Sequence, residues 1–219
     1  MKGFLLHLIF GILLSCATTG YKTEGSGFAV ASWYGYDFHG RPTASGERFD
    51  MYRFTCAHRE FPFGTLLRVI NTSNGRYVKC IVNDRGPFVS GRDIDLSYAA
   101  AREIGLIGPG TVPVRIEYLG RDTSYIREVR YLTSEGPFTI QVGSFRELEN
   151  ALRLKKALEL RYRDVYIINA EIDDAIYYRV RIGKFIKRDE AHGLARAMAQ
   201  EGYSPIIMKY EDRGKRAQA

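Results

Sequence analysis

The chain is short of several things, and each shortage excludes something. No apolar stretch is long enough to span a bilayer as a helix: the run from Phe4 to Leu14 is interrupted by His7 and Gly11 and falls well short of the roughly 20 residues required. Only 7 prolines, with 45% hydrophobic and 26% charged residues, exclude wholesale disorder and leave enough apolar material for real cores. Concentrated charge is missing too. The net +7 is spread along the chain, with 11 basic against 9 acidic residues in 28 to 120 and 13 against 10 in 136 to 210. Nucleic-acid binders gather a basic stripe on one element, so that class is set aside. A mild basic bias still suits a weakly anionic polymer. There are 4 histidines and 3 cysteines. His39, His58 and Glu47 lack the short fixed spacing of zinc ligands, so no metal and no cofactor is implied. His192 lies on a predicted helix and is read as solvated. A length of 219 residues argues against one long solenoid and for two small domains or one large one.

Met1 to Cys16 has signal-peptide anatomy: a basic start at Lys2, an apolar core, then Ser15-Cys16. Leu13-Leu14-Ser15-Cys16 resembles a bacterial lipobox, although leucine directly before Ser15 departs from the commonest pattern. A lipobox implies that Cys16 is diacylated, becomes the new N-terminus and anchors the chain to a membrane. No Asp follows Cys16, which favours the outer membrane. Residues 17 to 27 are small, polar and glycine-bearing, as in a tether. Cys56 and Cys80 remain in the folded part. In an oxidising compartment they could form a disulfide or stay two separate buried thiols, and the Cα separation that decides is not in the sequence.

Residues 28 to 120 alternate short β-like runs with Gly, Pro and Asn punctuation, which predicts a compact all-β barrel or sandwich. The runs are Phe28 to Tyr34, Leu66 to Ile70, Tyr77 to Val82 and Val112 to Tyr118. Asn74-Gly75 signals a hairpin, and one helix is expected from Ser97 to Ile104, capped by Asp95 or Ser97. Residues 121 to 135 have no clear period and are read as a linker; 211 to 219 form a polar tail.

Residues 136 to 210 contain a repeat with a period of 40. Gly143-Ser144-Phe145 aligns with Gly183-Lys184-Phe185, and Ala151, Leu154, Ala157 and Leu158 align with Ala191, Leu194, Ala197 and Met198. Each half reads as strand, Gly-x-Phe turn, amphipathic helix and strand. The resulting βαββαβ order is the ferredoxin-like layout, an α+β fold with four antiparallel strands and two helices on one face. Strand parity puts Phe138, Ile140, Val142, Val180 and Ile182 toward the helices. It puts Thr139, Gln141, Tyr177, Arg179 and Arg181 on the other face. That face suits sugar rings, hydroxyls and carboxylates, or is an ordinary solvated surface. Stacking of RNA bases, which this layout also permits, has little use in a secreted protein.

The barrel segments Ala31-Ser32-Trp33-Tyr34-Gly35, Gly40-Arg41-Pro42-Thr43-Ala44-Ser45-Gly46-Glu47, Ala57-His58, Pro62-Phe63-Gly64-Thr65 and Asn83-Asp84-Arg85-Gly86-Pro87 resemble the rare lipoprotein A family. Its fold is a double-psi β-barrel. Residues 136 to 210 resemble the sporulation-related repeat that binds peptidoglycan. The resemblance implies Asp84 as the family's acid, with Glu47 and His58 as companions. Gln141, Ser144, Tyr177 and Arg179 are the expected glycan contacts. Alanine is usual where Cys56 stands, and an aliphatic residue near Cys80, so this floor is modified. Arg85 and Asp95 are read as structural ion-pair residues.

The implied activity is a lytic transglycosylase, in which one acid/base protonates the glycosidic oxygen and then accepts the proton of the substrate's C6 hydroxyl. Such an acid needs a pKa raised by burial or by a neighbouring carboxylate such as Glu47. The implied substrate is peptidoglycan stripped of peptide, and the implied place is the periplasmic face of the outer membrane, enriched at the division septum. Divisome or amidase partners are not specified. The rival readings are a non-catalytic wall-binding lipoprotein and an expansin-like loosening module.

Overall fold

A computed structural model describes residues 27–211. Cys16, the signal region and nearly all of the tether lie outside the described residues, as does the tail beyond Glu211.

Six strands close into a barrel: β1 (Gly27–Tyr34), β2 (Thr55–His58), β3 (Thr65–Asn71), β4 (Tyr77–Asp84), β5 (Ile94–Ser97) and β6 (Val112–Arg121). Their order around the barrel is β1-β5-β2-β4-β3-β6. The pairs β1/β5 and β2/β4 are parallel and the others antiparallel. Alternation decides which side chains fill it. On β3, Thr65, Leu67, Val69 and Asn71 are buried while Leu66, Arg68 and Ile70 are half-exposed, a period of two. Val78, Cys80 and Val82 of β4 and Val112, Val114 and Ile116 of β6 meet them inside. The Asn74-Gly75 hairpin is present, with Gly75 at φ +72° as the turn demands. Helix α1 (Tyr98–Glu103) starts where Ser97 caps it, its hydroxyl accepting from the Ala100 N–H at 3.3 Å.

Two strands escape the sequence reading. β2 and β5 have four residues each, and β5 is buried throughout, so neither shows an alternation to detect.

The second unit comprises β7 (Arg130–Tyr131), β8 (Phe138–Phe145), α2 (Leu148–Glu159), β9 (Val165–Ile172), β10 (Ala175–Phe185), α3 (Arg188–Gln200) and β11 (Ile206–Lys209). The βαββαβ order is as expected, but the sheet has five strands, β7-β11-β8-β10-β9. The fifth comes from the segment read as linker: β7 pairs parallel with β11, and a 3-10 turn at Thr123–Tyr125 precedes it. The Gly-x-Phe triplets are not turns. β8 and β10 run through Phe145 and Phe185, and a Cβ on Gly143 or Gly183 would lie 2.7 or 2.5 Å from the ring of the phenylalanine two residues on. Glycine is there because that ring folds back over it.

The two units share one continuous core. Tyr203, just after α3, packs edge-on against Phe63 of the barrel with centroids 5.0 Å apart. The Phe63 N–H donates to the Glu201 carbonyl at 3.0 Å, and the Arg127 N–H to the Ala199 carbonyl at 3.0 Å.

Candidate active site and glycan face

Asp84 ends β4, where the chain leaves the barrel wall, and its side chain is buried. One carboxylate oxygen accepts two backbone N–H groups, from Ala44 and Arg85, both at 2.8 Å. Burial nevertheless wins over these bonds and over the Arg153 and Arg85 charges, so the carboxyl titrates above its ordinary range. Among the described residues no backbone amide bonds Oδ2, so one oxygen is fixed by amides and the other is the place for a proton. Tyr34, deeply buried in the floor, is pushed well above its usual pKa by burial and then by the Asp84 charge, so it stays a neutral phenol.

The expected companions lie nearby in the sequence of the fold but not in the cavity beside Asp84. Glu47 accepts from the Asn83 amide at 2.7 Å, which ties it to the residue preceding the acid. It also raises the Tyr125 phenol, adding to the effect of burial. The leading upward push on Asp84 is desolvation, not the charge of Glu47. His58 closes β2, and its Nδ1 accepts from the Glu60 and Phe61 N–H groups at 3.1 and 3.2 Å. Desolvation, then Arg85 and Arg59, lower it to about 4. It is therefore neutral at physiological pH with its proton on Nε2, able to donate there and unable to supply a cation.

Arg85 is not the ion-pair residue expected. Its Nε donates to the Tyr203 hydroxyl at 2.8 Å and Nη1 to the Phe61 carbonyl at 2.9 Å, while the guanidinium lies 3.8 Å over the Phe63 ring. Asp95 does form its ion pair, receiving Arg92 at 2.7 and 2.9 Å together with the Ser32 hydroxyl. His192, expected in solvent, is half-buried and hydrogen-bonded to Tyr131.

Cys56 and Cys80 form a disulfide across β2 and β4, with Cα atoms 5.9 Å apart. It ties the strand that ends in His58 to the strand that ends in Asp84.

The cavity at Asp84 is lined from the barrel by Pro42, Thr43, Ala44 and Arg85. Its opposite wall is Phe145, Asn150, Arg153 and Leu154 of the second unit. Sequence reasoning missed Asn150 and Arg153. Their i,i+3 spacing puts them on one side of α2, but nothing in the sequence says that this side meets the barrel.

On the second sheet the outward face is smaller than parity predicts. Thr139 and Arg181, expected there in the open, are 0% and 1% exposed. The Thr139 hydroxyl bonds Tyr166 at 2.8 Å, Tyr210 packs on Tyr166, and Glu211 faces Arg181 at 3.8 Å, so the C-terminal segment closes that end. The remainder holds Gln141, Ser144, Tyr177 and Arg179. Strict parity separates Gln141 from Ser144. A register shift between Val180 and Arg181 sets Gln141 opposite Arg181 and Ser144 opposite Arg179, on one face. Among the described residues, Gln141 Oε1 and Arg179 Nε are buried without a hydrogen-bond partner. Arg146 bonds the Tyr177 hydroxyl at 3.3 Å.

A closed six-stranded barrel with a buried acid at a strand end, followed by a βαββαβ sheet with a polar aromatic face, is the combination that the comparisons with known proteins return. The lytic transglycolase family, of double-psi barrel type, matches residues 28–116, and the SPOR domain matches residues 134–209. The chain is 36% identical over 179 residues to the endolytic peptidoglycan transglycosylase RlpA of Vibrio cholerae, covering 82% of this chain and 67% of that one. A probable RlpA of Nostoc is 61% identical over 94 residues, which is 42% of this chain and 25% of that protein. The chain thus spans two thirds of the first relative and a quarter of the second. The crystallised SPOR domain of Pseudomonas aeruginosa RlpA is 26% identical, with a TM-score of 0.29 and coverage of 33% of this chain and 99% of that one. The chain belongs to the RlpA family.

Proposed function

We propose that this protein is an endolytic peptidoglycan lytic transglycosylase that cleaves the bond between N-acetylmuramic acid and N-acetylglucosamine in peptide-stripped strands and leaves a 1,6-anhydro end. The observation that carries the reading is Asp84: a buried carboxyl, raised by desolvation, with one oxygen held by two amides. A carboxyl that holds its proton more tightly than an ordinary aspartate can deliver it to the glycosidic oxygen, then take one from the C6 hydroxyl that attacks the anomeric carbon. No second carboxylate is then needed to activate water. His58 donates from Nε2 to a sugar oxygen, and Glu47 fixes the Asn83 amide on the approach to Asp84.

The second domain holds the glycan through Gln141, Ser144, Tyr177 and Arg179, and sugar hydroxyls would satisfy the partnerless Gln141 Oε1 and Arg179 Nε. Lipidation at Cys16, attachment to the periplasmic face of the outer membrane, enrichment at the septum and a role in daughter-cell separation complete the proposal. The test is mass spectrometry of products released from purified peptidoglycan, intact and amidase-stripped, by the wild type and Asp84→Asn. Anhydro-ended products from the wild type alone support the mechanism. Reducing ends would indicate a hydrolase. Silence from a folded, glycan-binding protein would leave a binding or wall-loosening lipoprotein.

A further inference from the structure

Helix α2 lies against the mouth of the Asp84 groove, and the space left beside the carboxylate is small. It measures about 10 Å³, room for a single water molecule and for no sugar ring. From the second domain the space is closed by Phe145 at the end of β8 and by Asn150, Arg153 and Leu154 of α2. Arg153 is laid over the Phe38 ring at 5.0 Å, bonded to Asn150, and close enough for its charge to act on Asp84.

The contacts that hold α2 there differ in kind from those that hold the rest of the domain. Around the groove the packing of Phe145 and Leu154 is joined by polar contacts that are exposed. Arg41 of the barrel reaches Glu149 at 3.1 Å and Glu147 at 4.0 Å, and Lys156 reaches the Phe88 carbonyl at 3.4 Å and lies over the Phe88 ring. Pairs of this exposure are individually weak and salt-sensitive. At the far end of α3 the join is buried and well bonded, through Tyr203, Phe63, Arg85 and the backbone bonds at Glu201 and Ala199. A domain fixed firmly at one end and weakly at the other lifts at the weak end.

Building on the reading of Asp84 as the acid, we propose that the Glu149–Arg153 side of α2 is an interaction surface for the barrel's own catalytic groove, and that a glycan strand gains Asp84 only by displacing it. The outward face of the second sheet lies opposite its helices, so it remains open to a strand while the groove is shut. Recruitment then precedes access. A binding-competent state populated at a fraction f weakens apparent affinity by that fraction, so closure appears as a raised KM.

The experiment uses the full chain and reverses one rim charge. Arg41→Glu sets a carboxylate against Glu147 and Glu149, and Arg41→Glu/Glu149→Arg restores an opposite-charge pair. On amidase-stripped glycan, Arg41→Glu is expected to lower KM about fivefold, the effect of shifting a weak exposed pair, with kcat unchanged. The double variant is expected to return KM toward wild type. Hydrogen exchange over residues 42 to 46 and 145 to 156 is read in the same proteins, and should quicken in Arg41→Glu and slow again in the double variant. Unchanged KM and unchanged exchange in Arg41→Glu overturn the closure. If no variant releases product yet exchange opens and closes as described, closure stands and the transglycosylase reading falls.

Discussion

The Cys56–Cys80 bond offers the prediction whose size follows most directly from the fold. The bond joins residues 24 apart in sequence. Closing such a loop removes about 3.5 kcal/mol of chain entropy from the unfolded state at 25 °C. The two units share a core and should melt together, in which case this amounts to about 7–14 °C in Tm. Both cysteines are wholly buried, so the thiols left by reduction stay within the core, moved apart to van der Waals contact, and the lost crosslink is the main effect. The assay is urea unfolding with and without reductant, with thiol labelling of the unfolded chain to establish that reduction is complete. Cys56→Ala/Cys80→Ala should unfold at lower urea and be indifferent to reductant. Activity should fall at temperatures where the reduced protein begins to melt, because the bond ties the strands that carry His58 and Asp84. A difference below about 1 kcal/mol with free thiols demonstrated would refute the reasoning, since the crosslink would then not constrain the unfolded chain as the loop length requires.

Three further outcomes follow. On the proposed role of Asp84 as the acid, activity should decline as pH rises through its raised pKa. Arg153→Ala removes a cation that holds that pKa down in the free protein, and should move the alkaline limb of the kcat/KM profile to higher pH. An unmoved limb would dissociate Arg153 from the acid. His58 titrates at about 4 in the folded chain against 6.5 ordinarily, so the unfolded chain binds the extra proton between those values. Stability contributed by neutral His58 is therefore present above pH 6.5 and lost as pH falls toward 4, by roughly 3 kcal/mol. Denaturant midpoints of His58→Gln across that range should be correspondingly flatter, and parallel curves would count against a buried neutral imidazole. Gly202 holds φ +96°, and a Cβ there would lie 2.9 Å from the Phe63 Cβ and 3.0 Å from the Tyr125 carbonyl. Gly202→Ala should cost about 1–3 kcal/mol in unfolding experiments by loosening the join between the domains, and a neutral effect would mean the join is not packed as described.

The sequence by itself settled the order of things along the chain. Alternation placed β1, β3, β4 and β6, the Asn74-Gly75 hairpin needed only its own turn chemistry, and the 40-residue repeat carried the βαββαβ order. Those are local signals: a face, a turn and a period lie within a dozen residues, so they survive without tertiary information. Asp84 came from the family resemblance, which the segments around it carried, and Gln141, Tyr177 and Arg179 came from strand parity. What lay beyond local reading has one physical cause, that burial is decided by what arrives from elsewhere in the chain. β5 is buried on every residue because other elements cover both of its sides. β7 becomes a strand only because β11 offers it an edge. Arg181 obeys strand parity and is still buried, because Tyr166 and the segment from Tyr210 to Glu211 close over that end of the sheet. The upward shift of Asp84 belongs here too: an aspartate before Arg-Gly-Pro has no special pKa until a barrel wall on one side and helix α2 on the other exclude water from it. The sequence determined which residues this protein has for its chemistry, and only the tertiary structure decided how dry they are and what stands in front of them.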